Sequence, residues 1–162
     1  MHVFFDVRHL YYLPQYLPVY NELIKMGVKC EFLLYRQKHL NDTLDAYVKT
    51  HGLVYLWAND KEEANNIYLQ KKPEWIIFGN SEDNLDDIHC FSKTALMQHG
   101  IGPKSCYYDV SNSAIMYRFV EGKHRLKRLT KLFPEKVFID TGYAKLDPII
   151  NNNTDEHYSL SS

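Results

Sequence analysis

Several classes of protein are excluded by what this sequence does not contain. No run of 18 apolar residues occurs, and residues 1–12 show no basic segment followed by an apolar one, so neither a membrane span nor a signal peptide is expected. Cysteine is scarce. Cys30, Cys90 and Cys106 are odd in number, widely spaced and form no C-x-x-C pair, which argues against a disulfide framework or zinc knuckle and suits a reducing cytoplasm. Seven glycines and six prolines among 162 residues are too few for a collagen-like or low-complexity chain. No charge of one sign prevails either. Nineteen Lys and Arg stand against 20 Asp and Glu, a formal charge of −1, which removes the global electrostatic case for binding nucleic acid. Finally, no G-x-G-x-x-G follows the first apolar run and no G-x-x-x-x-G-K-[ST] occurs, so a dinucleotide site and a P-loop both lack their sequence support.

What the chain does contain is alternation. Residues 2–7 form a short β-rich run, and residues 10–26 then carry Leu13, Leu17, Tyr20, Leu23 and Ile24 at helical spacing, ended by Gly27. A second strand is expected at 28–35 and a second helix at 38–51, closed by Gly52. A third strand at 53–57 precedes a helix at 59–70, with Asn59 or Asp60 as N-cap and Glu62 and Glu63 in its first turn. Near-continuous apolar runs at 74–79 and 94–98 read as strands buried on both faces of a parallel sheet. A polar loop at about 99–113, a strand at 115–120, a basic helix at 123–133 and a strand at 136–140 follow. The expected fold is a Rossmann-like, open, mostly parallel α/β sheet of six or seven strands with helices on both faces. Residues 1–146 form this domain, and 147–162 read as a crossover and linker because 151–162 are almost wholly polar.

In such sheets ligands bind beyond the carboxyl ends of the strands, so the residues leaving each strand are the first candidates. These exits are 6–9, 57–60, 79–82, 98–104 and 140–143. In the fourth, His99 lies at a strand terminus before Gly100, Gly102 and Lys104, which supplies a titratable base, backbone able to approach a ligand closely, and an anion partner. The alternative is an ordinary turn histidine in a glycine-shaped loop. Arg8 and His9 leave the first strand and are secondary candidates for substrate contact; helix-start roles are their alternative. Cys90, His99 and Cys106 lack metal-ligand spacing, so no metal and no cofactor are expected. Glu82, Asp83, Asp86 and Asp87 read as a solvated loop or helix start. In the basic helix, Lys123, Arg125, Lys127, Arg128 and Lys131 follow one another without an intervening acid, while Leu126, Leu129 and Phe133 supply the inward stripe. That cationic face is either simply solvated or drawn to an anionic lipid surface or polyanionic acceptor.

The segment 98–104 (QHGIGPK), followed about forty residues later by 141–147 (TGYAKLD), resembles the HG-(T)-P-x-K and TGYP-(R/K)-x-D motif pair of the CDP-glycerol glycerophosphotransferases, the teichoic-acid polymerases and primases. Departures are Ile101 for the usual Thr, Pro103 displaced by one position, and Ala144 for the Pro after Tyr143. The resemblance implies one half of a GT-B architecture, the N-terminal acceptor-side domain, facing a C-terminal donor-binding domain that holds CDP-glycerol or another nucleotide-activated donor. It makes His99 the base that deprotonates an acceptor hydroxyl, with Gly100 and Gly102 in the cleft, Lys104 near phosphate, and Gly142 and Asp147 at the interdomain crossover. It further implies a cell-wall polymer or lipid-linked acceptor and a cytoplasmic enzyme peripheral to the inner face of the membrane. A nucleotide-sugar glycosyltransferase or UDP-GlcNAc 2-epimerase-like domain shares the HG-type histidine, and a non-catalytic Rossmann-like binding module is the reading from another class.

Overall fold

A computed structural model describes residues 1–37, 39–98 and 106–151. Its strands are β1 (His2–Val7), β2 (Lys29–Tyr35), β3 (Tyr55–Ala58), β4 (Trp75–Phe78), β5 (Lys93–Met97), β6 (Tyr117–Val120) and β7 (Val137–Asp140). They form one seven-stranded sheet in the order β3-β2-β1-β4-β5-β6-β7, and every pairing is parallel. The helices are α1 (Leu13–Lys25), α2 (Asn41–Thr50), α3 (Lys61–Lys71), α4 (Asp86–His89), α5 (Cys106–Asp109), α6 (Lys123–Leu132) and α7 (Asp147–Ile150). The chain winds outward from β1 to β3, returns to the other side of β1 as β4, and winds outward again to β7. The expected open, parallel, Rossmann-like sheet is therefore the fold, with seven strands.

Strand periodicity assigns the two faces. Val3, Phe5 and Val7 of β1, with Cys30, Phe32 and Leu34 of β2, pack with Leu13 and Tyr16 of α1 and Leu44 and Val48 of α2. The residues between them go the other way: Phe4 and Leu33 pack with Ala64 and Tyr68 of α3 and Ile88 of α4. Both faces being covered, β1 is buried from Val3 to Val7, as its unbroken apolar run requires. A smaller cluster of Tyr108, Val120 and Leu129 holds α5 and α6 onto the far end of the sheet. There β7 is the edge strand, and Val137 and Ile139 remain exposed.

Local signals account for the boundaries. Asp60 caps α3, its Oδ1 accepting from the Glu63 amide at 2.9 Å. Gly27 and Gly52 take the left-handed conformations, φ 73° and 60°, that end α1 and α2. Residues 10–12, expected as the first turn of a long helix, form a separate turn of 3-10 helix, because α1 proper begins with Pro14 in its first turn. The segment expected as a polar loop contains the one-turn helix α5. No helix among the described residues is long and apolar enough to cross a membrane.

Candidate functional site

With this strand order the topological switch point falls between β1 and β4, and that is where such a sheet commonly opens a ligand crevice. Here side chains of the protein fill it. The β4 exit passes so close to the 3-10 turn and α1 that a Cβ on Gly79 would lie 2.5 Å from the Tyr12 ring and 2.9 Å from the Tyr16 hydroxyl. The Tyr16 hydroxyl donates to the Asp6 carbonyl at 3.0 Å, tying α1 to the end of β1. Gly79→Ala is therefore expected to cost about 1–3 kcal/mol of stability by overpacking. In a chain of this size that is roughly 3–10 °C in thermal midpoint. An unchanged melting curve would show that Tyr12 and Tyr16 yield freely and that the crevice is open to occupation.

The charged groups at the same point are mutually committed. Asp6 is 1 % exposed. Its Oδ2 accepts from the hydroxyls of Tyr35 at 2.9 Å and Tyr68 at 2.8 Å, and its Oδ1 from Arg8 Nε at 3.2 Å. Desolvation raises the Asp6 carboxyl above its ordinary pKa range despite these partners, and also raises the hydroxyls of Tyr16, Tyr35 and Tyr68. Arg8 bridges from Asp6 to Glu82, which also pairs with Lys61 of α3. Two carboxylates and two cations thus close the switch point from below. Glu82 corrects the expectation of a solvated acid: it is 3 % exposed, because Arg8 and Lys61 converge on it. Of the two secondary candidates, Arg8 is half-buried in this network and its carbonyl accepts from Gln37 Nε2. His9 stacks on Tyr11 at 5.0 Å between ring centres.

Open space lies further along the sheet. A cavity of about 310 Å³ sits beyond the carboxyl ends of β5 and β6, between α1 and the segment after β7. Gln15 and Val19 of α1 form one wall, Met97, Gln98, Phe119 and Glu121 line it from the strand ends, and residues 141–144 with Asp147 complete it. Gly142 shapes the turn after β7 with φ 76°, a conformation that glycine adopts without strain. Gln98, Gly142 and Asp147 of the two resembling segments therefore meet at one cavity, though about forty residues separate them in sequence. His99, Gly100, Gly102 and Lys104 lie outside the described residues.

Both flanks of the segment 99–105 are held by the same side chain. Arg125 of α6 donates through Nη2 to Gln98 Oε1 at 3.0 Å and through Nη1 to Glu121 Oε1 at 3.1 Å. Its guanidinium also stands over the Tyr108 ring at 4.7 Å. Arg128 stands over the same ring at 4.2 Å and donates to the Tyr108 hydroxyl at 3.3 Å. Arg125, counted from sequence with the outward cations, is 6 % exposed because Glu121, Gln98 and Tyr108 draw it inward. Lys123, Lys127, Arg128 and Lys131 remain exposed.

Sequence reasoning missed Asp6, Tyr35, Tyr68, Glu82, Gln15 and the inward role of Arg125. Asp6 and Glu82 stood in two of the strand exits, and for Asp6 an acid within a strand buried on both faces was the available signal. Nothing in the pattern marked Gln15, one polar residue in an apolar stripe. No family model matches the chain, and no curated protein matches it either.

Proposed function

We propose that this chain is the acceptor-side, Rossmann-like half of a GT-B transferase resembling the CDP-glycerol glycerophosphotransferases. It would move glycerophosphate or a related group from a CDP-activated donor to a cell-wall polymer acceptor. One observation supports the reading: Gln98, directly before His99, lines the same cavity as Gly142 and Asp147, so the first residue of one segment of the resemblance meets the other segment at the strand ends. Strand ends are where catalysis is sited in open α/β sheets. The closed switch point and the lack of dinucleotide and P-loop motifs accord with a domain whose nucleotide is held elsewhere.

In the proposed reaction an acceptor hydroxyl oxygen attacks the β-phosphorus of the donor. The bond from that phosphorus to the bridging oxygen breaks, CMP departs, and His99 takes the hydroxyl proton. Such a site is assembled between two domains, so orientation and charge stabilisation require both. The test is CMP release from CDP-glycerol by the chain joined to its donor-binding domain, with and without a lipid-linked acceptor. Acceptor-dependent release is expected, while the isolated 162 residues bind the donor no better than ~millimolar and turn nothing over. Turnover by the isolated chain would overturn the half-site reading, and release of nucleotide only from a UDP-sugar would replace the donor.

A further inference from the structure

The composition of the cavity wall is one-sided. The polar groups that the described residues bring to it include the carboxylates of Glu121 and Asp147, the Thr141 hydroxyl and the amides of Gln15 and Gln98, and no Lys, Arg or His among them lines it. Arg125 already offsets the Glu121 carboxylate and holds the Gln98 oxygen, whereas Asp147 makes no ion pair among the described residues, so a phosphate there would face an uncompensated carboxylate. A group bearing O–H donors meets the opposite conditions. Carboxylate, amide and hydroxyl oxygens are acceptors, and Val19, Met97 and Phe119 supply apolar surface for its carbon skeleton.

Gln15 is the second, independent observation. It lies in the first turns of α1 and is 4 % exposed, and its Oε1 is buried without a hydrogen-bond partner. A buried amide oxygen left unsatisfied is destabilising, and leucine, of similar size, would remove that penalty. Rotation about the last side-chain bond, which is broad and roughly two-fold, exchanges the two amide atoms, so this residue has the freedom to turn an acceptor toward a bound molecule.

We infer that the cavity binds an uncharged, hydroxyl-bearing group in preference to phosphate, and that Gln15 determines this specificity by accepting a hydrogen bond from that group. This rests on the cavity being the acceptor pocket of the proposed function and adds which part of the acceptor enters it: the hydroxylated end.

The experiment is an NMR titration of the isotopically labelled 162-residue chain with glycerol and, separately, with inorganic phosphate at equal concentration. Glycerol is expected to shift the Gln15 side-chain amide and the Thr141 and Gly142 backbone signals, and phosphate is not. Gln15→Leu is expected to weaken glycerol binding about fivefold, the loss of one neutral hydrogen bond, while the thermal midpoint stays level or rises. A purely structural glutamine would instead lower the midpoint. Thr141→Val, on the exposed rim, provides a second variant that leaves the core untouched and weakens binding in the same direction. Equal or tighter phosphate binding at these residues, no glycerol shift, or unchanged glycerol affinity in Gln15→Leu would each overturn the inference. The two readings separate in the complete enzyme. Glycerol bound in the cavity without transfer overturns the transferase alone, and transfer with an unchanged acceptor KM in Gln15→Leu overturns this assignment alone.

Discussion

Replacing His99 with alanine in the transferase proposed above, joined to a donor-binding domain, is expected to lower kcat by ~10²–10⁴-fold, the contribution of the general base that the proposal assigns to it. An alcohol is a poor nucleophile while it keeps its proton, and the new P–O bond forms only as that proton leaves. An imidazole, with an ordinary pKa of ~6.5, accepts it at neutral pH. The wild-type rate should therefore fall as pH drops through the imidazole range, and His99→Ala should lose that acidic limb along with the rate. KM should change little, because the lost interaction belongs to the transition state. Steady-state kinetics across pH 5–9 on a variant with a wild-type melting curve decides the matter. Unchanged turnover would remove His99 from the chemistry. The same assay on Arg125→Met distinguishes positioning from proton transfer: Arg125 holds Gln98 on one side of the 99–105 segment and Tyr108 on the other. Its loss should lower kcat and leave the acidic limb in place.

The fold was legible because it is written in residue periodicity. Unbroken apolar runs separated by helix-length amphipathic segments leave few arrangements other than a parallel sheet covered on both faces, and β1, β2, β4 and β5 are buried as those runs imply. The third helix was found by its cap, expected at Asn59 or Asp60 and formed by Asp60, more than by its stripe, which buries only Ala64 and Tyr68. What periodicity does not encode is the partner of a polar side chain. Glu82 has the sequence surroundings of a solvated acid and is buried because Arg8, 74 positions earlier, and Lys61 converge on it. Arg125 sits among cations on a helix whose outward face is cationic, yet Glu121 one turn earlier and Tyr108 in the preceding helix turn it inward. Arg118, inside an apolar strand, is 1 % exposed and donates to the carbonyls of Ser111 and Ser113, so it fastens the connection that leads into β6. Each of these depends on contacts between segments distant in sequence, whereas Gln98, Gly142 and Asp147, which line the cavity, stand in segments singled out by their local sequence alone.

The largest expected effect on stability lies at Asp6. Asp6→Ala removes the acceptor for the Tyr35 and Tyr68 hydroxyls and one of the two carboxylates on Arg8, leaving three polar groups short of partners beneath the sheet end. Breaking a buried pair from one side costs about 3–5 kcal/mol. That is a large share of the ~5–15 kcal/mol that holds a domain folded, and roughly 6–20 °C in thermal midpoint at this chain length. Asp6→Asn keeps an acceptor oxygen and should cost less. The pair also gives a pH signature, because burial raises the Asp6 carboxyl above its ordinary range. A carboxyl whose pKa is higher folded than unfolded contributes stability that is complete below its unfolded value, ~3.9, and lost as pH rises through the folded value. The uncharged asparagine has no such dependence. Denaturant unfolding of wild type and Asp6→Asn between pH 3 and 8 should therefore show the wild-type advantage greatest in acid and shrinking as pH rises. An advantage that grows with pH would mean that Arg8 and the two tyrosines outweigh desolvation, and that the ionised carboxylate is the form the fold selects.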